Sequence, residues 1–157
     1  IDIPYNAIYD FNIGVDNFTI IGKSGDVTPF SSGYIISKAE ATGANREYGL
    51  YYTGGTGVGV YLGGSNEVVT LTAVPNQLFI LIFTGSNYEL WIDGVLELSG
   101  TLGTAQGTGS QSLNIGVRTD GVFPINTGTM LTSPYSIVPS AISTSQRQAI
   151  EAKFQVN

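Results

Sequence analysis

Residues 78 to 99 leave this chain little choice of architecture. Leu78-Phe79-Ile80-Leu81-Ile82-Phe83 is an unbroken apolar run, with Pro75-Asn76 before it and Gly85-Ser86-Asn87 after it. A run this short, rich in branched and aromatic side chains, reads as a buried strand rather than a helix. Tyr88 to Ile92 and Val95 to Ser99 then flank Asp93-Gly94. Asp-Gly between two β-prone runs marks a hairpin, because a type I′ turn needs positive φ at both central residues. The stretch is therefore three consecutive antiparallel strands. Trp91, the only tryptophan, stands just before the second turn.

The remainder reads as further short strands: residues 7–13, 17–21, 34–38, 47–53, 58–62, 67–74, 112–118 and 135–139. Glycine-rich breakers separate several of them, such as Gly54-Gly55-Thr56-Gly57. Gly100 to Ser112 reads as a small-residue loop, and Thr119 to Pro134 as the longest irregular region. Only residues 144–153 look helical. Ser143 and Gln146 stand in capping-box spacing ahead of good helix formers. Ile142, Ala149, Ile150 and Phe154 are the positions expected to face the sheet. Many short strands with one terminal helix predict an all-β fold, a two-sheet antiparallel β-sandwich in jelly-roll order with one short C-terminal helix. Phe11, Phe18, Phe79, Phe83 and Trp91 are the expected core aromatics, with Trp91 and Phe79 buried on facing strands. There is no internal repeat, which disfavours propellers and solenoids.

The segment LFILIFTGSNYELWIDGVLELSG, with LNIG at 113–116, resembles the concanavalin A-like lectin/glucanase superfamily, and within it the laminin-G-like domains. DNFTI at 16–20, YIISK at 34–38 and the tail STSQRQAIEAKF are similar to the same family pattern. The sequence departs from that pattern at Ile21-Gly22, where a tryptophan is usual, and at Gln77-Leu78, where a Trp-His pair often stands. The resemblance implies a concanavalin A-like jelly roll used for surface recognition. It also implies a calcium ion at the sandwich rim, for which Asp120 and Asn126 are the first candidates and Asp26 and Asn66 the next. Calcium takes oxygen ligands from flexible loops; the same residue types also cap turns with their own side chains.

Composition removes whole classes of function. The chain has 157 residues, enough for one domain spanning 1–157 that buries roughly two thirds of its unfolded surface. It starts at Ile1, which reads as a processed product or a part of a larger polypeptide or assembly. Histidine and cysteine are both absent. No Ser-His-Asp triad, thiolate nucleophile or zinc-finger ligand set is available. Charged residues make up 11% of the chain, against about 25% in an average soluble domain. Net charge is −6 and the six cations are scattered, so a nucleic-acid partner is not expected. The longest apolar run is far short of the ~20 residues of a membrane span, so no membrane insertion is expected. Gly54-Gly55-Thr56-Gly57 lacks the lysine of a phosphate loop.

Glu89, Asp93 and Glu97 are the tempting catalytic set, because laminarinase-type glucanases of the resembled superfamily carry alternating carboxylates on one strand. Here Asp93 belongs to a turn. A two-residue hairpin pairs Ile92 with Val95, Trp91 with Leu96, Leu90 with Glu97 and Glu89 with Leu98, which puts Glu89 and Glu97 on opposite faces. The ~5 Å carboxylate separation of a retaining glycosidase is then out of reach. Aromatic rings near loops, at Tyr61, Tyr88, Phe123 and Tyr135, could instead offer stacking faces for sugars beside amides and hydroxyls. Loops on a rigid scaffold commonly carry binding. The candidate ligand site is accordingly Arg118, Asp120, Phe123 and Asn126, joined by Asn87 and Tyr88 of the 86–88 turn. The expected function is a non-catalytic, lectin-like module that binds a glycan or a glycosylated cell-surface receptor, extracellular or on a virion surface. The alternative is a structural virion decoration or fibre domain contacting other copies of itself or other virion proteins; glycoside hydrolysis ranks below both.

Overall fold

A computed structural model describes residues 2–3, 11, 14–24, 33–39, 46–53, 57–62, 65–70, 76–102, 113–115 and 135–155. The strands are β1 (Asp2–Ile3), β2 (Phe18–Lys23), β3 (Gly33–Ala39), β4 (Arg46–Tyr52), β5 (Gly57–Leu62), β6 (Ser65–Thr70), β7 (Leu78–Thr84), β8 (Asn87–Ile92), β9 (Val95–Thr101), β10 (Leu113–Ile115) and β11 (Tyr135–Val138). The helix α1 spans Thr144–Gln155. One sheet has the order β1-β10-β3-β4-β5-β6 and the other β11-β2-β7-β8-β9. Every pairing is antiparallel. The expected two-sheet β-sandwich with one short C-terminal helix is the fold of the chain. β1 was not expected; a two-residue pairing leaves no periodicity to read. The expected strand at 7–13 lies outside the described residues apart from Phe11, as do 71–74 and 116–118 at the ends of two others.

The central hairpins form as their turn residues dictate. Asp93 and Gly94 have φ of 50° and 83°, both positive as the type I′ turn requires. Asp93 also closes the sheet edge: its backbone N–H donates to the Leu78 carbonyl at 3.0 Å, and its Oδ1 accepts from the Leu78 N–H at 2.9 Å. Register departs from a simple hairpin beyond Trp91. Leu90 pairs with Leu98 and Glu89 with Ser99, so Glu97 is the extra residue of a β-bulge. β9 also runs through Gly100 and Thr101, which had read as the start of a loop. Gly100 lies opposite Tyr88, and a Cβ there would stand 2.6 Å from the tyrosine hydroxyl oxygen. Only glycine lets that ring close down on the neighbouring strand.

The main core lies between the sheets. Phe18 and Phe83 face each other across paired strands, stacked at 4.2 Å, and Phe11 stacks on Phe18 at 4.4 Å. Tyr52 of the first sheet meets Phe79 of the second edge-on at 5.8 Å. A second, smaller core sits on the far side of the second sheet. There Ile21, Leu78, Ile80 and Ile82 are buried beneath Ile142, Ile150 and Phe154. β7 is thus apolar because both its faces are covered. Thr19 pins the segment leading into the helix: its hydroxyl donates to the Ser140 carbonyl at 2.9 Å and accepts from the Ile142 N–H at 3.2 Å.

Two expected core assignments are corrected. Trp91 is half-buried and packs with the smaller core, opposite Ile80, while Phe79 points into the main core. Successive strand residues alternate in face, so with Leu90 and Ile92 turned inward, Trp91 must turn outward. Ala149 is exposed; the covered stripe of α1 is Arg147, Ile150, Glu151 and Phe154. These follow the helical spacing of three and four.

Leu81 is fully buried and Val95 is 55% exposed. Leu81→Ala is therefore expected to cost about 2–5 kcal/mol in urea denaturation and Val95→Ala under about 1 kcal/mol. Equal losses would place the core elsewhere.

Candidate functional site

β8 presents Glu89 and Trp91 on the outer face of its sheet, because Leu90 and Ile92 face inward. The Trp91 indole N–H donates to Glu89 Oε2 at 2.8 Å. The guanidinium of Arg147 lies over the indole, its carbon 3.5 Å from the ring centroid. Arg147 Nη1 is also ion-paired with Glu151 one helical turn later. Arg147 is 6% exposed and Glu151 8%. The four side chains form one continuous run from sheet to helix: carboxylate, indole, guanidinium, carboxylate. A planar guanidinium suits this place because it can stack and ion-pair together, which an ammonium cannot.

At the helix start the Ser143 and Gln146 N–H groups are met by side chains, as the sequence predicts. The Ser143 N–H donates to Gln146 Oε1 at 2.8 Å, and the Gln146 N–H donates to Ser143 Oγ at 3.3 Å. This is the reciprocal capping box.

Between the helix start and β7–β8 lies a groove of about 490 Å³. Ile82, Ile142 and Trp91 supply its apolar surface. Thr84, Asn87, Glu89, Ser143 and Thr144 supply hydroxyl, amide and carboxylate groups, all on exposed residues. Asn87 Oδ1 accepts from the Thr101 hydroxyl at 2.8 Å, which holds the amide and leaves its nitrogen as a donor. The volume falls within the range of small-ligand pockets, and the lining carries more polar than apolar surface.

The structure divides the expected ligand site. Asn87 lines this groove. Tyr88 is a correction: it contributes to the groove wall, but its side chain is 5% exposed and belongs to the main core, so it offers no stacking face. Strand alternation again decides this, since Tyr88 shares a face with Leu90. Arg118, Asp120, Phe123 and Asn126 lie outside the described residues, and with them the calcium position at Asp120 and Asn126; Asp26 also lies outside them. Asn66 stands on β6 opposite Tyr61. No group of three or more acidic residues gathers among the described residues.

The other proposed loop aromatics are covered too. Tyr61 is 3% exposed, and Tyr135 is half-buried against the main core. Tyr61, Tyr34 and Tyr51 share the face of the first sheet turned away from the main core. Tyr51 lies across Gly59 there, close enough that a Cβ would fall 2.2 Å from its ring. Burial, and after it the neighbouring Tyr34 and Tyr61, hold the Tyr51 phenol above its ordinary pKa. Of the three carboxylates, Asp93 is bound up in its turn, Glu89 is held by the indole, and Glu97 sits in the bulge.

Trp91, Arg147 and Glu151 are not expected as site residues from the sequence, and Glu89 only as a catalytic carboxylate that the hairpin argues against. Two signals point to them: the alternation of β8, and the i, i+4 pairing of Arg147 with Glu151 on the helix.

No family model matches this sequence, and no curated protein matches it. Solved structures do. The Ruminococcus gnavus IT-sialidase CBM40, a carbohydrate-binding module, superposes with a TM-score of 0.68 at 14% identity, over 96% of this chain and 95% of that one. The same module has been solved with alpha2,3 sialyllactose bound. The NanB sialidase of Streptococcus pneumoniae matches with a TM-score of 0.65 at 13% identity, over 94% of this chain and 27% of that one. Trypanosoma rangeli sialidase matches with a TM-score of 0.65 at 14% identity, over 87% and 23%. At such identities the likeness is one of fold: a jelly-roll β-sandwich.

Arg147→Ala leaves Glu151 buried without its partner and uncovers the indole. The expected loss is about 3 kcal/mol in chemical denaturation, as for other broken buried pairs. Arg147→Lys should restore only part of it, because the stacking is lost. Full restoration by lysine would show that charge alone matters.

Proposed function

We propose that this chain is a non-catalytic glycan-binding module of an extracellular or virion-surface protein. The observation that carries the reading is the groove between α1 and β7–β8. A saccharide has apolar ring faces edged by hydroxyls. The groove offers the matching surface: isoleucine and indole for the faces, and Thr84, Asn87, Glu89, Ser143 and Thr144 for the hydroxyls. Its geometry is preformed, because the Trp91–Arg147 stack and the Thr19 hydrogen bonds hold the helix segment against the sheet. A site ordered before binding loses less entropy when occupied.

The fold likeness supports the same reading. The sialidase carbohydrate-binding module matches this chain nearly end to end, whereas the complete sialidases match only over about a quarter of their length. The chemistry of the groove supports a non-catalytic role: its carboxylate already accepts from an indole N–H, and Glu97 stands in the bulge rather than beside Glu89 on alternate strand positions. The laminin-G-like resemblance and recognition of a glycosylated cell-surface receptor belong to this proposal.

The test is a glycan array probed with the chain, followed by titration of the hits. Binding is expected, weakened about tenfold by Asn87→Ala through loss of a hydrogen bond to ligand. Asp120→Ala and Phe123→Ala measure what the 118–126 stretch contributes. An array without hits would overturn the reading, and release of reducing sugar would overturn its non-catalytic part.

A further inference from the structure

Resting on that reading, we infer that the groove selects neutral, polyhydroxylated saccharide units and disfavours acidic ones. The charges that line it decide this. Among the described residues, two charged side chains reach the groove, Glu89 and Arg147. Arg147 is spent: its guanidinium is covered on one face by the indole, ion-paired to Glu151 and 6% exposed. Glu89 is exposed, and the indole N–H occupies Oε2. Its other oxygen keeps acceptor capacity for sugar hydroxyls, which bind a carboxylate more strongly than a neutral acceptor.

The helix N-terminus is the other feature that could draw an anion. Its capping box uses the Gln146 N–H on Ser143 Oγ and turns the Gln146 side chain back to the Ser143 N–H. A ligand carboxylate entering the groove would meet Glu89 with no available cation among the described residues that line it. Two like unit charges a few ångströms apart in a partly wet site repel strongly enough for discrimination on the order of tenfold.

The chain carries its own reporter, since Trp91 is the only tryptophan and gives a single indole N–H resonance. Neutral oligosaccharides, including lactose, are titrated beside acidic counterparts, including sialyllactose, while that resonance is followed by NMR. Expected are displacement of the resonance by a neutral member and affinity about tenfold above its acidic counterpart, a gap that narrows in 1 M salt (order of magnitude, where the screening length falls to about 3 Å). Glu89→Gln keeps an acceptor for the indole and is expected to shrink the gap to within about threefold.

An acidic member binding more tightly while displacing the indole resonance would overturn the inference. So would sugar binding that leaves that resonance in place. Both results leave glycan binding intact. Failure of every saccharide to bind would overturn the glycan reading as well.

Discussion

Strand β7 is apolar on both faces, and the rest of the structure answers that fact. Phe79, Leu81 and Phe83 face one way and Leu78, Ile80 and Ile82 the other. One sheet cannot bury both sets. The first set is covered by the opposite sheet, whose Tyr48, Leu50, Tyr52, Val58, Val60 and Leu62 complete the main core. The other set needs a separate cover, which α1 and the segment before it supply. Each fully buried aliphatic or aromatic side chain contributes roughly 1.5–3 kcal/mol, so leaving either face bare would forfeit several of them.

That arrangement creates the groove. A 12-residue helix laid against a twisted sheet cannot follow its whole width. Beside it, over β7 and β8, lies the groove, which reaches Thr84 and Asn87. Trp91 and Arg147 mark the edge of contact. The indole extends the apolar surface of the sheet as far as the helix, and the guanidinium seals it from above while Glu151 balances its charge. The same pair that anchors the helix removes the positive charge from the groove, so a packing requirement and a charge selectivity arise from one contact.

The hairpin at Asp93-Gly94 shows how one residue changes a site. Without a bulge, Glu97 would oppose Leu90. With it, Leu98 takes that place and completes the inward pairing of leucines. The apolar side chain wins the inward position because burying it is favourable, whereas an unpaired carboxylate there would cost several kcal/mol. Glu89 is left opposite Ser99, with the indole N–H as its partner. Asp93 serves the turn and the start of β7.

Much of this was legible in order of residues alone. The three central strands, the positive-φ Asp93-Gly94 turn, the Ser143–Gln146 capping box and the two-sheet architecture all rest on local patterns of period two, of turn chemistry or of helix spacing. The faces were harder. Trp91 reads as core by composition, yet its neighbours Leu90 and Ile92 commit it to the outer side. Tyr88 reads as a turn residue, yet alternation and the bare backbone of Gly100 draw its ring inward. Arg147 and Glu151 read only as helix formers until an indole supplied by a strand more than 50 residues earlier covers one of them. Sequence by itself determined which segments become strands, turns and helix, because those depend on neighbours along the chain. Only the tertiary structure decided where the groove lies and which charge it shows, because both depend on residues that meet across the fold.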